Sequence, residues 1–157
     1  MSLATITTYQ VYLAIHILAA VIWVGGGAAV HVFAVRTARA KNAERMIAFS
    51  TDAEFIGTRV FAPASLVLVV FGFLLIHQGH WDYKAWIVFP IAVWALSFIA
   101  GMAFLGPESK RLNTAIARDG VESPEAVQRL GRVLLVSRVE LGLLLLVVLD
   151  MALKPFS

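Results

Sequence analysis

Four long apolar stretches, at about 9–35, 60–77, 86–105 and 133–152, fill most of the 157-residue chain. A hydrocarbon core of about 30 Å takes roughly 20 helical residues to cross, so each stretch is near the length of one span. With 60% hydrophobic residues and a mean hydropathy of +0.83, too little polar surface remains to cover a water-soluble globule. The expected fold is all-α, a four-transmembrane-helix bundle. It forms a single integral membrane domain over 1–157, with polar loops at 36–59 and 106–132.

The thirteen Lys and Arg residues set the expected orientation, because they alternate by loop. Arg36, Arg39, Lys41, Arg45 and Arg59 flank the first connection, and Lys110, Arg111, Arg118, Arg129, Arg132 and Arg138 flank or enter the third. Only Lys84 and Lys154 remain for the other side. Short loops rich in Lys and Arg stay on the cytoplasmic face. Both large loops therefore belong in the cytoplasm, with both termini and the turn near Gln78 to Lys84 outside, in the plasma membrane of a bacterium. A basic surface of this kind is explained by orientation and anionic headgroups, and calls for no nucleic-acid partner. The first eight residues carry no Lys or Arg, and the apolar run after them exceeds a signal-peptide core, so the first helix is expected to be retained as an anchor.

Within the loops, Lys41 to Ile56 mixes Met46, Ile47, Phe49, Phe55 and Ile56 with charges, the pattern of a helix lying on a bundle or membrane surface. In the third loop Asp119-Gly120 reads as a helix stop. Ser123-Pro124-Glu125 supplies an N-cap, a first-turn proline and an early acid, so the fourth helix is expected to begin near Pro124.

Ionisable and imidazole groups inside a membrane are costly, which makes His16, His31, His77, Arg138, Glu140 and Asp150 the first functional candidates. His16 lies ~30 Å above Arg36 and His77 ~27 Å above Arg59, at about 1.5 Å per residue. Those counts put both imidazoles at one height near the outer interface. His80 and Asp150 come to the same level. His16, His77 and His80 are thus candidate cofactor ligands, and His16, His77 and Asp150 candidate metal ligands. Neutral imidazole binds haem iron, copper and zinc, and two histidines at one depth on different helices suit haem b. On the first helix His16, Trp23, Gly27 and His31 share one face, with Gly25-Gly26-Gly27 allowing a neighbouring helix or a flat cofactor to come close. Nearer the inner side, His31, Arg59, Arg138 and Glu140 form a second polar group. Arg138 and Glu140 point apart on one helix, so Arg138 is expected to snorkel to the cytoplasmic interface while Glu140 turns inward toward His31 or Arg59.

There is no cysteine, which excludes disulfides, c-type haem attachment and thiolate metal sites. No phosphate-binding glycine loop, H-E-x-x-H or G-x-S-x-G motif is present, so neither a hydrolase nor a nucleotide-driven machine has support, and no catalytic residue is assigned. The run H-I-L-A-A-V-I-W-V-G-G from His16 to Gly26 resembles the first helix of CopD-type copper-resistance membrane proteins and of HemJ-type protoporphyrinogen oxidases. The first resemblance implies copper passage and the second a haem-ligating His16. Over nearly its full length, including Met151, Lys154 and Pro155 near the end, the chain resembles a bacterial family of predicted integral membrane proteins, domain of unknown function 2269. That resemblance implies no activity.

Three functions remain in view. The chain binds haem b or a metal through His16 with His77 or His80. Alternatively, it is a non-catalytic accessory or scaffold subunit whose small-residue face binds another membrane protein or a second copy. In the third reading it handles protons or a small anion through His31 and Glu140.

Overall fold

Lipid offers no hydrogen bonds, so a chain this apolar has to satisfy its backbone within each segment. In the computed structural model, which describes residues 6–154, all regular structure is helical. Four long helices run up and down: α1 (Thr8–Arg39), α2 (Ala43–Gly79), α3 (Ala85–Asp119) and α4 (Pro124–Leu153). Pro155 and the chain ends lie outside the described residues.

The helix ends follow from local chemistry. Thr7 opens α1 with a reciprocal cap: its hydroxyl accepts from the Gln10 N–H at 3.3 Å, and its own N–H donates to Gln10 Oε1 at 2.9 Å. Asn42 caps α2 by accepting from the Arg45 N–H at 2.9 Å. Gly120, at φ +87°, ends α3, and Ser123 accepts the Ala126 N–H at 3.3 Å to start α4 at Pro124. The stop at Asp119-Gly120 and the start at Pro124 are those expected from sequence.

The two basic loops differ from expectation. Residues 43–56 do not form a separate surface helix; they are the first part of α2, which passes into its apolar half through a π-helical turn at Gly57–Phe61. Residues 106–119 likewise continue α3 through a π turn at Ala100–Leu105. A proline lies just beyond each of these two turns, Pro63 and Pro107. Proline has no N–H to donate and its ring crowds the carbonyl four residues back, and a wider turn accommodates both without breaking the helix. A third π turn, Val21–Gly25, sits in α1 beside the glycine run.

The bundle therefore has an aromatic end and a basic end, and the basic end is folded. Its last segment of α3, Gly106–Asp119, extends ~20 Å at about 1.5 Å per residue. Met46, Leu112, Ala115, Ile116 and Ala126 form a buried cluster there, drawn from α2, α3 and α4. Ion pairs tie the segments together across the surface. Lys41 meets Glu122 at 2.6 Å, joining the two hairpin turns, and Lys110 meets Glu54 at 2.9 Å. The hydrogen bond from the Lys41 ammonium holds the Glu122 carboxyl below the usual carboxylate range. Glu108, only 4% exposed, receives Arg129 at 2.8 Å and Arg111 at 3.5 Å. A buried carboxylate with two guanidinium partners fixes the register of α3 against α4.

Away from this tip the helices turn apolar side chains outward. Leu18, Val32 and Phe33 on α1, Leu66 and Val70 on α2, and Leu96 and Ile99 on α3 are exposed. α1, α2 and α3 are long and apolar enough to cross a membrane. α4 has 30 residues and exposes Leu135, Leu145 and Leu149, but Arg138 and Glu140 interrupt its apolar stretch, and Arg132 and Asp150 bound it.

Candidate functional site

Four helices, three of them widened by π turns, leave a cleft of about 320 Å³ between them. Each π turn contributes to its wall: Trp23 from α1, Phe61 from α2, and Gly101 from α3. Glycines keep the space open, since a Cβ placed on Gly27, Gly57 or Gly101 would meet nothing within 4 Å. Gly26 does the opposite job: a Cβ there would lie 2.5 Å from Phe61 Cε1, so its hydrogen lets α2 approach α1.

Two titratable side chains of the apolar stretches reach this cleft, His31 from α1 and Glu140 from α4. His31 Nδ1 is 3.0 Å from Ser137 Oγ, and the Ser137 hydroxyl is 3.2 Å from the Leu134 carbonyl. With its proton directed to Leu134, the serine oxygen accepts from Nδ1–H, and Nε2 of His31 carries a free lone pair. Ser97 of α3, 5% exposed, lines the same cleft as the Glu140 carboxyl.

Of the inner polar group expected from sequence, the structure brings His31 and Glu140 into one cleft and leaves the arginines out. Arg138 is exposed on α4, and Arg59 is exposed on the π turn of α2. Neither pairs with Glu140, and no ion pair among the described residues involves it. Ser97, Ser137 and Ser65 carry no distinctive sequence signal. The spacing that locates the π turns is legible: Gly57 and Gly101 each precede a proline by six positions, at Pro63 and Pro107.

The outer group comes out differently. His16 donates Nδ1–H to the Leu68 carbonyl at 2.8 Å, and its ring covers Gly72, whose added Cβ would lie 3.3 Å from His16 Cε1. Leu68 is nine residues from His77 along α2, ~13 Å at about 1.5 Å per residue, so the two histidines are not at one height. The depth counts assumed that Arg36 and Arg59 mark the same level. They do not, because α2 begins at Ala43 and carries Arg59 far up the hairpin, beside the contact of Phe61 with Gly26. His77 and His80 are exposed and share a shallow hollow with Phe73, Trp81 and Tyr83. Asp150 has a buried carboxyl oxygen, Oδ2, without a hydrogen-bond partner. Among the described residues no three His, Asp or Glu side chains converge as a metal site.

At the same end Trp81 meets Trp86 edge-on at 5.3 Å, and Tyr9 meets Trp81 at 6.1 Å. Lys154 Nζ lies 5.0 Å from the Trp81 ring and 5.4 Å from Trp86. These contacts tie the end of α4 to the turn between α2 and α3, in the manner of an interfacial aromatic belt.

No curated protein and no solved structure matches the chain. A family match covers residues 10–155, which takes in all four helices, and by it the chain belongs to the family of predicted integral membrane proteins designated DUF2269.

Proposed function

We infer that the chain is a four-span protein of the bacterial cytoplasmic membrane that holds a small molecule in its inner cleft and couples its binding to proton exchange at His31 and Glu140. The observation that carries this reading is the convergence of those two groups, from different helices, on one cleft. Ionisable side chains are retained in apolar stretches chiefly where they serve a pathway or a site. The basic end faces the cytoplasm in this reading, both termini face outward, and α4 crosses as the fourth span with Arg138 snorkelling to the inner interface.

The reading is tested by organic extraction and mass spectrometry of the purified protein against Gly27→Leu. That substitution adds a side chain where there is open space in the cleft wall. A small molecule enriched with the parent protein and depleted in the variant is the expected result; identical extracts would sink the proposal.

A second reading keeps haem b, on one observation. With Nδ1–H committed to Leu68, neutral His16 has its Nε2 lone pair available, the arrangement an axial imidazole needs. His77 and His80 do not supply the opposite ligand at that level, so this reading is confined to one histidine. A Soret band that shifts on reduction and disappears in His16→Ala is its expected signature, and a colourless protein from haem-replete cells rules it out.

A further inference from the structure

The chain has thirteen Lys and Arg residues, and none of them lines the cleft. Two carboxylates do, Glu54 and Glu140. Glu54 already has a cation, Lys110 at 2.9 Å, and the buried Glu108 nearby has two. Glu140 has no cation among the described residues. A carboxylate in apolar surroundings calls for an opposite charge, and here the protein supplies cations to the acids around it but not to this one.

The remaining lining fits the same conclusion. Trp23, Phe49, Phe61 and Phe98 turn aromatic surface into the cleft, and aromatic faces attract cations, including those too bulky or too alkylated to donate hydrogen bonds. Most of the other wall is Val, Leu, Met, Ala and Gly, which excludes a well-hydrated ion. An anion would meet two carboxyl groups and no guanidinium or ammonium, which argues against the small-anion reading of this group.

We propose that the cleft binds a lipophilic cation, an amine or quaternary ammonium carried on an apolar or aromatic body, with Glu140 as its counter-ion. This rests on the cleft being a ligand site. His31, facing the same space, is the second titratable group and adds no fixed positive charge while its ring is neutral. When the cation enters, the Glu140 carboxyl gives up any proton it holds, and when the cation leaves it takes one up, so charge in the cleft is conserved. That proton leaves the cleft to water, directly or by way of His31 Nε2, which passes it on, and it returns by the same route.

The test uses the full chain in nanodiscs and reports binding in excess of empty nanodiscs. Three probes share one aromatic body: benzyltrimethylammonium, its uncharged isostere neopentylbenzene, and phenylmethanesulfonate. The expected result is binding of the ammonium on the order of tenfold tighter than the isostere, no binding of the sulfonate, and loss of the ammonium preference in Glu140→Gln. Retained neopentylbenzene binding by Glu140→Gln shows that the variant is folded. Equal binding of ammonium and isostere, in both parent and variant, overturns the cation assignment while leaving the cleft as a ligand site. Preference for the sulfonate overturns it as well. Failure of all three probes to bind, together with unchanged extracts from Gly27→Leu, overturns both this inference and the reading beneath it.

Discussion

Ile116→Ala lowers the unfolding free energy of the protein by about 3 kcal/mol, the range seen for removing buried aliphatic groups from a close-packed core. Ile116 is 2% exposed and packs with Met46, Leu112, Ala115 and Ala126 at the basic end, beyond the apolar stretches. In water, burying such a side chain draws on the full hydrophobic effect, which is absent between helices within lipid. Leu96→Ala provides the contrast. Leu96 is 62% exposed on the apolar stretch of α3, and its truncation exchanges contacts with lipid for contacts with lipid. Thermal unfolding in one detergent, with proteolysis of the Arg118 to Glu122 turn as a local probe, compares the two. If Ile116→Ala proves no more harmful than Leu96→Ala, the basic end is not the folded core described above. The point bears on function, because Met46 and Leu112 belong both to this cluster and to the cleft wall. A tip that loosens also opens the cleft.

The all-helical class and the apolar stretches were legible because a period of four long apolar runs has few other solutions. The caps at Asn42 and Ser123 and the stop at Gly120 were legible for a different reason, since each acts within a few residues of itself. What did not show was how the helices stand against one another. Depth counted from Arg36 and Arg59 placed His16 level with His77, but basic residues mark where a side chain can reach the interface, not where a backbone crosses it. A snorkelling arginine moves that mark by several ångströms. The first basic loop reads as a separate surface helix for a related cause: Arg and Lys on an amphipathic helix look alike whether the helix lies on a membrane or continues out of it. The Gly57 to Pro63 and Gly101 to Pro107 spacings carried the missing information, as a wide turn that lets a helix pass through a proline. His31 and Glu140 stood out as candidates from their cost in lipid. The serines lining their cleft did not, since a serine on an apolar helix satisfies itself on its own backbone equally well, as Ser65 does with the Ala62 carbonyl at 2.9 Å.

Glu140→Leu stabilises the bundle by about 2 kcal/mol and abolishes the preference for the ammonium probe, and these two results together separate a functional carboxyl from a structural one. Removing one member of a satisfied buried ion pair is destabilising, whereas replacing an unpaired buried acid by an apolar residue of similar size is favourable. Glu140 has no ion-pair partner among the described residues, and Leu134, Leu141 and Leu144 line the same cleft wall, so leucine suits its surroundings. Ser97 does not become an orphan, because its hydroxyl can turn to a carbonyl of α3, as Ser65 does on α2. Glu108 gives the opposite sign. It is buried against Arg129 and Arg111, and Glu108→Leu leaves Arg129 with Glu125 alone, so that variant unfolds more readily than the parent. Chemical unfolding of the two variants side by side decides the matter. If Glu140→Leu is destabilised as Glu108→Leu is, then Glu140 clasps α4 to α3 and the cleft needs no ligand to explain it. If it is stabilised, the carboxyl is held at a cost that folding does not repay, and a polar group kept on those terms in the middle of a membrane bundle is there for what it binds.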